Sequence, residues 1–143
     1  MNFEECINQG KLIETGDRDL HKAREIFNSA NHKLKFWKEV EKKSKPYPSV
    51  FIEGHYEIIK ELSTILLILD GWKSENHDCL FQYLSEKKQD LEIDFEFLSE
   101  LRTIRNKIDY EGIKVSYETW KNNELRLNLT IKRIIEYIKP KLQ

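Results

Sequence analysis

Between His55 and Leu69 the chain carries its most apolar stretch, at helical spacing. His55, Ile59, Leu62, Leu66 and Leu69 form one stripe, and Ile58 and Ile65 widen it. A period of 3.6 rather than 2 reads as a helix, and a helix so broadly apolar has to be covered on several sides. That single segment dictates a bundle with this helix at its centre. Gly and Pro number only five and three in 143 residues, and they fall where breaks are needed.

The other segments supply the covering helices. A short first helix is expected over residues 3–10. Thr15-Gly16-Asp17 is a break, with Asp17 a plausible N-cap. A second helix carries Leu20, Ala23, Phe27, Ala30, Leu34 and Trp37 inward and runs to about Lys42. Residues 43–48 read as a loop, with Pro48 suited to the first turn of the central helix. The central helix stops near Gly71-Trp72, and residues 73–76 make a turn. A short helix over 77–86 turns Leu80, Phe81 and Leu84 inward. An acidic connector over 87–94 leads to a fifth helix ending at Gly112, a residue suited to the left-handed position. Ser116 then caps a last helix with Tyr117, Trp120, Leu127, Ile131, Ile134 and Ile138 inward, ended by Pro140. No strand-like alternation persists. The expected fold is all-α: one domain over 1–143, an antiparallel bundle of four long helices plus one or two short ones.

Lys and Arg total 24 against 25 Asp and Glu, a net charge of −1. Binding to nucleic acid would therefore need a local patch. Acids gather at Glu86, Asp90, Glu92, Asp94, Glu96 and Glu100, and bases prevail after residue 114. Solvated helix faces explain both blocks. Cys6 and Cys79 lie far apart in no metal-ligand spacing. With no signal peptide in view, they imply a reducing, cytoplasmic setting. The longest apolar run, Ile65 to Leu69, is too short to span a membrane. His21, His32, His55 and His77 are scattered, so no metal or cofactor is expected. His55, on the apolar stripe, reads as a hydrogen-bonded core residue. No Gly-rich phosphate loop or nucleophile motif stands out.

The polar candidate is Leu-Arg-Thr-Ile-Arg-Asn-Lys-Ile-Asp-Tyr-Glu-Gly, residues 101–112. Leu101, Ile104 and Ile108 fall on one stripe, with Phe97 extending it. Arg102, Arg105, Asn106 and Asp109 fall on the opposite arc. Arg105 and Asp109 stand four residues apart, the spacing of an intrahelical ion pair. The same geometry also describes an anion site: Asp109 orients a guanidinium whose remaining donors meet a phosphate, with Asn106 and Tyr110 adding polar atoms. Spacing does not separate the two.

These residues resemble the HEPN superfamily, the small helical "higher eukaryotes and prokaryotes nucleotide-binding" domains. Ala23 and Ala30 in the second helix, His55-Tyr56-Glu57-Ile58-Ile59-Lys60-Glu61-Leu62, Gly71-Trp72-Lys73-Ser74-Glu75-Asn76-His77 and above all residues 101–112 carry the likeness. The resemblance implies a four- or five-helix bundle and a homodimer whose motif helices face a shared cleft. It also implies a role in toxin–antitoxin or defence systems, sometimes beside a nucleotidyltransferase. Many members are metal-independent ribonucleases with Arg, four to six residues, then His. Here Arg105 stands as the motif arginine and Asn106 as its polar neighbour. Tyr110, Glu111 and Gly112 occupy the histidine positions. Starting from Arg102, those positions hold Lys107, Ile108 and Asp109. No register supplies a histidine, and an ordinary tyrosine with its pKa near ~10 transfers protons poorly at neutral pH. A histidine from elsewhere, His55 or His77, would have to enter in space, and nothing in the sequence argues for it.

The expected function is therefore RNA or nucleotide-phosphate binding through Arg102, Arg105, Asn106, Asp109 and Tyr110, with little catalysis. One alternative is a diverged ribonuclease using Arg105 and Tyr110. The other is a structural interaction module whose polar arc is merely solvated.

Overall fold

The computed structural model describes residues 1–43 and 47–143. Six α-helices run in the order α1 (Phe3–Asn8), α2 (Leu20–Lys43), α3 (Pro48–Leu69), α4 (His77–Lys87), α5 (Phe95–Glu111) and α6 (Tyr117–Ile138) among the described residues. One-turn 3₁₀ segments follow α4 (Gln89–Leu91) and α6 (Lys139–Leu142). This is the all-α bundle expected, with α2, α3, α5 and α6 the long members. Residues 44–46, half of the anticipated loop at 43–48, lie outside the described residues.

α3 is the axis. It packs against α2, α4, α5 and α6. Ile52, Ile58, Ile59, Leu62, Ile65 and Leu66 are wholly removed from solvent. Each such side chain contributes about 1.5–3 kcal/mol. Pro48 opens the helix at its first turn, where a missing N–H costs little. His55 is the core histidine expected, its Nδ1 2.7 Å from the Phe51 carbonyl oxygen. That oxygen only accepts, so Nδ1 carries the proton. Gly54 belongs to α3 for a packing reason. A Cβ there would sit 2.5 Å from the Trp37 ring, which lies across it and against Phe51.

Several local expectations are corrected. Asp19, not Asp17, caps α2: its carboxylate accepts from the Lys22 N–H at 3.0 Å, while Asp17 N–H is turned to the Thr15 hydroxyl. α1 ends at Asn8, two residues short of Gly10. Leu20 and Tyr117, placed inward by spacing, are each 37% exposed because they open their helices, where the bundle no longer covers them. α6 does end at Ile138, two residues before Pro140, and Pro140 itself falls within the 3₁₀ turn that follows. A two-residue antiparallel ladder also forms, Ile13–Glu14 (β1) with Trp72–Lys73 (β2), pairing Ile13 with Lys73 and Glu14 with Trp72. Two residues are too few to show alternation.

The largest correction concerns the cysteines. Cys6 and Cys79, expected as separate thiols, form a disulfide with Cα atoms 5.7 Å apart. The bridge fastens α1 to α4. It also removes the ground on which the sequence implied a reducing setting, since disulfides persist in oxidising compartments. Among the described residues, no helix is long and apolar enough to cross a membrane.

Two seams of the bundle are closed by carboxyl pairs. Across α2 and α6, burial and a hydrogen bond to Glu124 push Glu41 up to about 7, against the pull of Lys121. Across α3 and α5, a hydrogen bond to Asp109, with burial, pushes Glu53 up to about 7, against the pull of Arg105. The folded chain therefore holds protons that the unfolded chain releases near the ordinary glutamate value of 4.5. The stability contributed by the raised carboxyls of Glu41 and Glu53 is full below about pH 4.5 and is lost as pH rises through about 7, whereas Glu124, held below its ordinary range by its hydrogen bond to Glu41, loses its own contribution only at lower pH. Thermal midpoints should fall from pH 5 to pH 8. The double variant Glu41→Gln/Glu53→Gln, which keeps both groups neutral, should flatten that fall; an unchanged slope would contradict it.

Candidate functional site

α5 positions the candidate residues. Asp94 caps it by accepting from the Glu96 and Phe97 N–H groups, and Gly112 ends it at φ 65°. The apolar side behaves as the spacing predicts: Phe97 and Leu101 are buried, and Ile104 and Ile108 pack at the core's margin. The polar arc, however, does not simply face water. Arg102 and Arg105 lean back over the seam where α5 meets α3 and the start of α4. Their side chains keep only 36% and 25% of their exposure.

Arg105 Nε lies 2.9 Å from Asp109 Oδ2, the intrahelical pair that the spacing suggested. Its guanidinium also stands 5.8 Å from the centroid of the Tyr56 ring, and Nη1 reaches Asn106 Oδ1 at 3.4 Å. Arg102 turns to Asp78 at 3.7 Å rather than to Asn106. Asn106 is half-buried beside them. Tyr110 alone leaves the group. It is 78% exposed, one turn beyond Asn106, and its hydroxyl makes no hydrogen bond to any described residue.

Two groups join the arginines that spacing had not brought there. Tyr56, fully buried on α3, places its hydroxyl 3.0 Å from His77 Nδ1. Burial pushes the phenol up to about 12, so it stays protonated. It is the natural donor in that bond, which leaves the His77 proton on Nε2. His77 opens α4 just after its cap, Asn76, whose side chain accepts from the Cys79 N–H at 2.9 Å. Burial first, and then the charges of Lys60, Arg105 and Arg102, hold the imidazole below its ordinary value; Glu57 pulls weakly the other way. The imidazole thus reports a positive field. One signal in the sequence pointed here. A tyrosine on the most apolar helix buries a hydroxyl that needs a partner. The identity of that partner depended on where α4 lands.

The cations are already paired. Lys60 bonds Glu57 at 2.8 Å, Arg102 has Asp78, and Arg105 has Asp109. The site is a cluster of alternating charge beside the Tyr56–His77 hydrogen bond. Chemically, it can exchange its carboxylate partners for an anion with better geometry. It does not gather metal ligands: among the described residues, no three His, Cys, Asp or Glu side chains come together to hold an ion.

No protein-family model matches the chain, and no curated protein or solved structure matches it either.

Proposed function

We propose that this chain is a HEPN-like domain that binds the phosphate of RNA or of a nucleotide through Arg102 and Arg105. One observation carries the reading: both guanidiniums are drawn from the solvent side of α5 to a half-buried seam, Arg105 over the ring of Tyr56 and Arg102 to Asp78 at the start of α4. A merely solvated arc would leave them in water. Asn106 supplies a neutral contact, and Asp109 orients Arg105 until a phosphate replaces it. The exposure of Tyr110 speaks against a ribonuclease built on Arg105 and Tyr110, because a general acid or base has to stand within hydrogen-bond reach of the reacting group and this side chain points away into solvent. The resemblance further implies a homodimer and a nucleotidyltransferase as partner. It also fits a cytoplasmic, toxin–antitoxin or defence setting, although the Cys6–Cys79 bridge favours an oxidising one.

Calorimetry with nucleotides and short RNAs tests the assignment. Arg105→Ala should weaken binding by about 10- to 100-fold, the range for a lost hydrogen bond to a charged group. Equal affinity in both proteins would remove Arg105 from the site. The interaction-module reading would then stand on the Arg105–Asp109 pair.

A further inference from the structure

We infer that His77 is the proton-accepting member of this site, and that the ligand it selects is a terminal phosphate monoester, a dianion, rather than a phosphodiester. The inference rests on the phosphate-binding reading above. Three structural facts support it. First, Tyr56 fixes the ring: its hydroxyl at 3.0 Å holds Nδ1, and the rings stand 5.9 Å apart. The free edge of the imidazole therefore carries Nε2–H, a donor. Second, the half-buried ring is joined to both guanidiniums through its neighbours: Arg105 stands 5.8 Å from the ring centroid of Tyr56, the hydrogen-bond partner of His77, and Arg102 pairs with Asp78, the next residue. Third, Asp78, the next residue, holds Arg102 at 3.7 Å, which ties the start of α4 to α5.

The charges around His77 explain the selection. From α3 it meets Glu57 and Lys60, with Glu53 one turn earlier; from α5 it meets Arg102 and Arg105, with Asp109 behind. Asp78 is its own neighbour on α4, and the N-terminal ammonium lies 3.4 Å from Asp78. Every arginine already has one carboxylate. A phosphodiester brings a single negative charge, so it cannot replace Asp78 and Asp109 together. A monoester carries close to two at neutral pH, its second pKa being about 6. With a dianion in place, the field at the imidazole changes sign, and the ring that cations had kept neutral becomes a favourable cation. Tyr56 then accepts from Nδ1–H through its oxygen, and Nε2–H donates to the phosphate. Binding takes up one proton from solvent and breaks no covalent bond.

This predicts a bell-shaped affinity. It falls below about pH 6, where the ligand itself takes a proton. On the alkaline side it falls about tenfold per pH unit wherever the free imidazole is neutral and the bound one charged, and it levels off once the bound imidazole also deprotonates. The probes are a 5′-phosphorylated RNA trinucleotide and the same trinucleotide with a 5′-hydroxyl, titrated at pH 7 into the intact, oxidised chain. Using buffers of different ionisation heat gives the proton count. The wild type should bind the phosphorylated probe at least about tenfold tighter, with uptake approaching one proton. His77→Gln, which keeps a donor but cannot charge, should retain weaker binding with no uptake and no alkaline limb. Binding of both probes with equal affinity, or without proton uptake, overturns the role of His77 and leaves the phosphate site standing. If the wild type binds neither probe, the phosphate-binding reading falls as well. The proton count comes from the wild type alone, so the result does not depend on how the variant folds.

Discussion

Replacing Cys79 with serine should lower the thermal midpoint by roughly 10–15 °C. The bridge joins residues 73 apart in sequence. Cross-linking so long a loop restricts the unfolded chain by about 4 kcal/mol in the chain-entropy account. The folded side has little to offset the loss. α1 has six residues, too few to hold a helix alone, and Cys6 is its one buried side chain. Phe3, against Trp72 and Tyr83, the N-terminal ammonium near Asp78, the Ser74 hydroxyl bond to the Lys11 carbonyl and the two-residue ladder would remain as attachments of this segment. Calorimetric melting of Cys79→Ser beside wild type with and without reductant checks this. Reduced wild type should melt with the variant. A midpoint insensitive to reductant would mean that Phe3 and the ladder hold α1 without the bridge.

The second large effect is expected at Gly54. By helix propensity alone, Gly54→Ala should stabilise α3 by about 1 kcal/mol. The Trp37 ring reverses the sign. With Cε2 and Nε1 both 2.5 Å from the position of the new Cβ, the whole indole must move, and with it the contact to Phe51. Overpacking of this kind costs about 1–3 kcal/mol. The net loss should be about 1 kcal/mol, seen as a lower urea midpoint with an unchanged slope. In a Trp37→Phe background, the same change should cost less, because the smaller ring leaves room. Equal cost in both backgrounds would show that Trp37 is not what requires glycine.

Long-period features were readable and single contacts were not. The central role of α3 followed from its apolar width, and Ser116 and Gly112 bounded helices as their chemistry dictates. Asp17 and Asp19 are equally good caps as residue types. The choice between them depended on Thr15, whose hydroxyl binds Gly71 across the ladder and also engages Asp17. The two cysteines could not be paired by spacing, because α1 meets α4 only after the whole bundle closes. At the site, the α5 residues were found by their arc, and the Arg105–Asp109 pair by its spacing. Tyr56 and His77 were missed as site members for the same reason as the disulfide. Their meeting is set by the turn at residues 73–76, not by any local pattern. The sequence offered no distinction between an arc that faces water and one that leans into a seam.

The two carboxyl pairs also alter the charge that the folded molecule presents to its neighbours. The formal net charge of −1 counts every glutamate as ionised. With Glu41 and Glu53 titrating at about 7, each carries about half a proton at pH 7. The folded chain is then close to electroneutral, whereas the same chain unfolded is an anion. Electrostatic repulsion between copies vanishes near neutrality, so self-association meets its lowest barrier there. In an electric field at pH 7, the native chain should barely migrate.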